Sequence, residues 1–192
     1  MKNATHLRTR ALTEGALFVG LAFLLGYVKL WQMPSGGSLT PAMFPILLYA
    51  LRFGLGRGLA AGFLYGLLQL LFDGAYAWGW QCMLLDYLLA FIPLGLCGIF
   101  KGKAWGIFPC VAIGSLGRFA VHYFSGVTLY KIIEPTGIEG LEGLGVFTNP
   151  HVYSIVYNGV YMLPNMLIAM VIAALLYVPM KKFFAGKDIL VR

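Results

Sequence analysis

The sequence predicts an all-α integral membrane protein, a six-helix bundle with both termini cytoplasmic. Three observations predict it. Hydrophobic residues make up 60% of the chain and charged residues 11%, against roughly 25% charged in a soluble domain. The apolar residues come in long runs, without the period-two alternation of a membrane barrel strand. The basic residues collect in alternate connecting segments, as they do in multi-pass proteins.

The apolar runs divide the chain in order. The first predicted span covers about Leu12–Leu30. The residues before it are basic, but no small-x-small cleavage site intervenes before the next membrane segment, so it reads as a span and not a signal peptide. The second is short, Pro41–Leu51, and the third covers about Leu59–Phe72. Both fall below the roughly 20 residues that a straight span needs, which suggests re-entrant segments or a thin bundle there. The fourth covers Gln81–Phe100, the fifth Gly106–Tyr123 and the sixth Tyr153–Pro179, where Pro164 beside Asn165 predicts a kink. The whole chain, 1–192, then forms one membrane-embedded domain with a long loop at about 131–151.

Charge orients the bundle. Eleven of the fourteen Lys and Arg residues fall in the N-terminal segment, the loops after the second and fourth spans, and the C-terminal tail. With six spans these four segments lie on one side, and the positive-inside rule makes that side cytoplasmic. Acidic residues Asp73, Asp86, Glu134, Glu139 and Glu142 lie at or near the other side. The basic pI therefore reads as topology and calls for no nucleic acid. Lys29 and Lys131 lie near outer span ends and can snorkel; Arg118 lies deeper. The 131–151 loop is acidic and glycine-rich, and its length suggests a lid or a mobile connection.

A few side chains break the apolar pattern. Asp86 stands in "LLDYLLAFIPLG", where an unpaired carboxylate costs about 2.5–3.5 kcal/mol or more. At 1.5 Å per residue, Asp86, His122 and Asn158, from three different spans, reach one layer in the outer third of the membrane. Tyr76, Tyr87, Tyr130, Tyr153 and Tyr157 share that layer. An interfacial aromatic belt accounts for some of the rings. The three polar residues form either a structural network or a ligand site. A carboxylate, an imidazole, an amide and several rings suit a small aromatic ligand, including a cationic one.

Other patterns concern packing and chemistry. Gly54, Gly58, Gly62 and Gly66 repeat every four residues on the third span and predict close helix approach. Ala16 and Gly20 make a small-xxx-small face on the first. Cys82, Cys97 and Cys110 form no CxxC pair and lie inside predicted spans; they read as packing residues, implying neither metal nor disulfide. No GxxxxGK[ST] phosphate loop and no HExxH motif occurs, so neither ATP hydrolysis nor zinc chemistry is expected of the chain. An intramembrane acid–base pair of Asp86 and His122 is the enzymatic alternative, and the reading is not an enzyme.

With these residues placed, nearly the whole chain resembles the thiamine-specific substrate-binding subunits (S-components) of energy-coupling factor (ECF) transporters. "LTEGALFVGLAF" resembles the family's first helix, and the resemblance implies that Ala16 and Gly20 face a coupling transmembrane subunit. "PILLYALRFGLGRGLAAGFLYG" is similar to the passage between the second and third helices. "LLDYLLAFIPLGLCGIF" resembles the family's Glu-Tyr stretch, with Asp86 one methylene shorter than the usual Glu and Tyr87 following. "RFAVHYFSG" carries the ligand-side histidine as His122, with Gly126 after it, and "VYSIVYNG" carries Tyr153 and Asn158. Tyr76 in "GAYAW" matches a pocket tyrosine, while Tyr65 and Tyr130 stand where tryptophan is usual. The resemblance implies high-affinity thiamine capture without a cofactor or a metal. It also implies delivery to a coupling subunit with two ATPase subunits, in a prokaryotic plasma membrane. A related vitamin or thiamine precursor, and a solitary proton-coupled carrier, are the alternatives.

Overall fold

The computed structural model describes the backbone of residues 2–33, 36–73, 79–130, 138 and 142–189, and the side chains of 5–33, 36–73, 79–128, 138 and 143–189. Six helical segments form the bundle. They are α1 (Lys2–Gly26), α2 (Met43–Phe53), α3 (Leu55–Asp73), α4 (Trp80–Phe100), α5 (Ile107–Tyr130) and α6 (Pro150–Phe184). All but α2 are long and apolar enough to cross a membrane. Two short strands, β1 (Trp31–Gln32) and β2 (Ser38–Leu39), pair antiparallel between α1 and α2.

The expected boundaries move in informative ways. Helix α1 begins well before Leu12 and ends at Gly26, so Leu30 and Trp31 belong to the connection and the strand pair. Helix α5 runs seven residues beyond Tyr123, and α6 continues through Pro164 and Pro179 to Phe184. Helix α3 is a full span of 19 residues.

Helix α2 is short for a reason that periodicity cannot show. Every one of its 11 residues is buried, the mark of a helix enclosed on all sides. The chain before it descends into the bundle beside α6. Tyr157 Oη donates to the Gly36 carbonyl at 2.5 Å, and Gly37 lies against the Tyr161 ring. Asn165 Nδ2 donates to the Ser38 carbonyl at 2.8 Å, while its Oδ1 accepts from Thr40 N at 2.9 Å. Tyr157, Tyr161 and Asn165 are spaced by four and share one face of α6. Asn165 is 15 residues into α6, about 22 Å along its axis. Helix α2 thus starts deep in the bundle and needs only the remaining distance to the inner side.

Helix α4 is not a uniform α-helix. One α turn (Trp80–Cys82) leads into a π-helical stretch (Met83–Leu89) and then a 3₁₀ stretch (Ile92–Phe100) with Pro93 near its start. It packs on the glycine ladder of α3. A Cβ at Gly62 would meet the Phe91 carbonyl and Ile92 Cα, and one at Gly66 would meet the Tyr87 carbonyl. From the other side, Gly95 and Gly98 admit the backbone of Leu59 and Leu55. Farther in, Cys97 and Cys110 form a disulfide with a Cα–Cα distance of 4.5 Å, which corrects the expectation that the cysteines would pack singly. The correction follows from a second close approach: Gly114 and Gly117 of α5 lie against Leu94 and Pro93 of α4.

At the inner end, charges expected only to set topology are built into the fold. Arg52 is fully buried. It donates to Glu14 Oε2 through Nε (3.1 Å) and Nη2 (2.7 Å), and to Asp188 Oδ1 and Oδ2 at 3.0 Å each. It also donates to the Phe183 carbonyl, and its guanidinium lies over the Phe183 ring. Arg10 pairs with the same two acids. This cluster ties α1, the end of α2 and the segment after α6 together, and it puts both ends of the chain on one side of the bundle.

Candidate functional site

The outer half of α4, α5 and α6 brings the in-membrane polar residues together. Asp86 lies in the π-helical stretch of α4. A π turn is wider than an α turn and often marks functional sites. Asp86 Oδ1 lies 2.8 Å from His122 Nδ1 on α5. Its Oδ2 accepts from Ser125 Oγ at 2.7 Å and from Cys82 Sγ at 2.8 Å. A carboxylate offers about four acceptor positions, so three are filled among the described residues and one on Oδ1 is left. His122 is in turn contacted at Nε2 by Arg118 Nε, at 3.3 Å.

Asn158 joins from α6. Its Nδ2 donates to the His122 carbonyl (3.2 Å) and to the Ser154 carbonyl (2.9 Å), and its Oδ1 accepts from Tyr161 Oη at 3.0 Å. Ser154 Oγ donates to the Tyr123 carbonyl at 2.8 Å, which stitches α6 to α5. Asp86, His122 and Asn158 therefore meet in one layer, as the depth argument expected, and they are held by protein partners. Three hydrogen bonds to the carboxylate make a charge tolerable in an apolar surrounding and fix its orientation.

Aromatic rings stand beside this network. Tyr153 stacks on Tyr157 with centroids 5.7 Å apart, and Tyr157 meets Tyr161 edge-on at 6.3 Å. Tyr161 meets the His122 ring edge-on at 6.1 Å. Met33, Ile138, Tyr161 and Met162 form a buried apolar cluster, with Phe147, Tyr153 and Tyr157 packed on it. The segment carrying β1 and β2 and the buried Ile138 thus pack on the tyrosines beside the network.

The remaining expected site residues fall as follows. Tyr87 donates to the Asp73 carbonyl at 3.0 Å, at the outer end of α3. Tyr65 is buried one layer deeper, edge-on to Phe91 at 4.7 Å, with its hydroxyl 2.5 Å from Gln69 Nε2. It reaches the site through Phe91, over which the Arg118 guanidinium sits at 4.5 Å. Gly126 faces α6, where a Cβ would meet Ser154 and lie 3.2 Å from Asn158 Nδ2; its part is to let α6 close on α5. Tyr76 lies outside the described residues, and so does the side chain of Tyr130. On α1, Ala16 is exposed and a Cβ at Gly20 would meet nothing within 4 Å. This small-residue face is open along the membrane.

Sequence reasoning missed Cys82, Arg118, Ser125, Ser154, Tyr161 and Asn165 as members of the network. Three of them, Cys82, Arg118 and Ser154, each precede a named site residue by four positions, one helical turn.

Comparison with known proteins agrees in extent. Residues 12–185 match the family model described as "Thiamine transporter protein (Thia_YuaJ)". The thiamine transporter ThiT of Bacillus subtilis (strain 168) is 33% identical over 181 residues, covering 86% of this chain and 89% of the relative. The thiamine transporter ThiT of Lacticaseibacillus paracasei is 27% identical over 202 residues, covering 95% and 94%. A solved structure of ThiT from Listeria monocytogenes superposes with a TM-score of 0.76 at 26% identity, over 92% of this chain and 98% of that one. A family match across nearly the whole chain, carried by a fold of the same shape, establishes that this multi-pass membrane protein belongs to the thiamine transporter protein family.

Proposed function

We propose that the chain captures thiamine from the outer face of a prokaryotic plasma membrane and passes it to an ATP-driven ECF importer. The observation that carries this reading is the meeting of Asp86, His122 and Asn158 from three helices in one layer. Family membership supports the substrate, because the relatives bear the name thiamine transporter. The remaining acceptor of Asp86 takes a ligand N–H or lies against the thiazolium. Asn158 and His122 bound the polar side, and Tyr87, Tyr153 and the neighbouring rings bound the aromatic side. Tyr65 and Gly126 set the packing behind them, and Tyr76 and Tyr130 complete the set. The open Ala16 and Gly20 face of α1 takes the coupling subunit, which in turn holds the two ATPases. Each membership is a proposal for mutagenesis.

The test is tryptophan fluorescence of the detergent-purified chain titrated with thiamine, beside Asp86→Ala. Wild type is expected to bind below about 1 μM and the variant to lose most of that affinity. Absence of binding by wild type, to thiamine and to its pyrimidine precursor, sinks the reading. The close Asp86–His122 contact favours one second reading, a proton-coupled carrier working alone. Uptake into liposomes holding only this chain and a proton gradient decides between the two.

A further inference from the structure

The contacts around His122 have a direction. A guanidinium has donors only and stays protonated. Arg118 Nε, 3.3 Å from His122 Nε2, therefore needs a lone pair on that nitrogen. The ring proton must then sit on Nδ1, which is 2.8 Å from Asp86 Oδ1. Asp86 receives that proton's hydrogen bond together with those of Ser125 and Cys82, and a carboxyl surrounded by three donors is matched by its ionised form, which only accepts. Arg118 is itself held, with its guanidinium over the Phe91 ring. Among the described residues, the charged and titratable groups facing His122 are Asp86 from α4, Arg118 from its own helix and Tyr161 from α6; Cys82 of α4 meets Asp86, and Tyr157 of α6 meets Tyr161.

We infer that Arg118 is a positioning residue of the ligand site: it fixes the proton of His122 on Nδ1 and so holds Asp86 in the ionised, hydrogen-bond-accepting state before the ligand arrives. Arg118 need not touch the ligand to do this. Its charge also balances that of Asp86, so the site selects its ligand by the geometry of one free acceptor more than by net charge. The consequence for affinity rests on the thiamine reading above; the state of the ring does not.

The experiment reads the ring directly. The full chain is labelled with ¹⁵N-histidine in detergent, and the His122 signals are assigned by their loss in His122→Gln. The Nδ1–H and Nε2–H tautomers and the imidazolium have distinct nitrogen shifts. Wild type is expected to show the Nδ1–H form alone from about pH 6 to pH 8, the range in which a free imidazole would titrate. Arg118→Met is expected to lose that single form, with the Nε2–H or doubly protonated ring appearing toward pH 6. Arg118→Lys, which keeps a cationic donor, is expected to restore it in part, and serves if the Met variant does not fold.

Thiamine affinity is measured on the same samples. Wild type is expected to vary little over this range, and Arg118→Met to weaken by about tenfold more at pH 6 than at pH 8, following the ring. His122→Gln, whose amide both donates and accepts, is expected to keep more affinity than His122→Leu. A wild-type ring in the Nε2–H or imidazolium form overturns the inference, as does an Nδ1–H form unchanged in Arg118→Met. An affinity loss in Arg118→Met that is equal at every pH also overturns it. If the ring behaves as stated and thiamine does not bind, the positioning of Asp86 stands and the thiamine reading falls.

Discussion

A carboxylate within an apolar helix has to find its partners inside the protein, and Asp86 finds three on two helices. Neither Ser125 nor Cys82 is charged, so the site stays close to neutral when His122 and Arg118 are counted with it. Asn158 reaches the His122 carbonyl because α6 seats closely on α5, which makes Gly126 a sensitive position although it has no side chain. A methyl group there enters the space of Ser154 and approaches Asn158 Nδ2 to 3.2 Å. Ser154 cannot retreat without giving up the Tyr123 carbonyl. Gly126→Ala is expected to cost about 1–3 kcal/mol, the range for overpacking, and to weaken ligand binding by displacing Asn158. A melting curve in detergent with and without thiamine measures both; an unchanged melting temperature would show that α6 has room to move. The sequence made Asp86, His122 and Asn158 legible, because each is costly where it stands. It left Ser125 and Ser154 unmarked, because a serine in a span is common and only the crossing of helices tells which one meets the carboxylate.

The glycine pattern on α3 was legible as spacing, and its partner was not. Periodicity shows that one face of α3 is bare; it does not name the helix that uses it. That helix is α4, and the contact is backbone to backbone. A Cβ at Gly62 would run into the Phe91 carbonyl and come within 3.1 Å of Ile92 Cα, neither of which can rotate away. Gly62→Ala is therefore expected to destabilise the bundle by more than the helix propensity of alanine returns, about 1 kcal/mol. A lower melting temperature in the same detergent is the expected result, and a raised one would mean that α4 can slide. Gly20 on α1 gives the opposite expectation, since a side chain there meets nothing within 4 Å. Gly20→Leu should leave melting and thiamine binding unchanged, while in the proposed importer it should abolish co-purification with the coupling subunit. Two features of the elements were hidden from the sequence. The π and 3₁₀ turns of α4 come from the fit of its backbone to α3 and α5. The depth at which α2 begins comes from hydrogen bonds between Ser38, Thr40 and Asn165, 125 residues or more apart.

Across the whole molecule, the two ends of the bundle are held by different chemistry. The inner end is held by a cluster of ions around a buried Arg52; the outer end relies on hydrogen bonds and rings, beside one partly exposed ion pair, Lys29–Asp73 at 3.4 Å. Reading the inner basic residues as topology signals was sound for orientation, and it could not reveal that Arg10 and Arg52 share Glu14 and Asp188. Those acids lie 174 residues apart in the chain and belong to the segments that begin and end the fold. Arg52 uses all five of its N–H donors on Glu14, Asp188 and the Phe183 carbonyl, so removing one acid leaves a buried cation short of partners. Loss of a partner from a fully buried pair costs about 3–5 kcal/mol. Asp188 is 36% exposed, and solvent screening reduces the expected cost to about 1–2 kcal/mol. Hydrogen bonding to the Arg52 guanidinium holds the Asp188 carboxyl below the usual carboxylate range. A depressed folded-state value means that this contribution is complete above the unfolded value, near about pH 4, and disappears as the pH falls through the lower, folded one. Wild type should therefore show no dependence of melting on this group above about pH 5, and a loss of stability below about pH 4. Asp188→Asn should melt lower than wild type at neutral pH, with the two curves converging in acid. Thiamine affinity at neutral pH should be unchanged in the variant, because the cluster lies at the far end of the bundle from Asp86. Curves that stay parallel down to the acid limit would show that the tail is held by packing on Phe183 and not by the charge of Asp188.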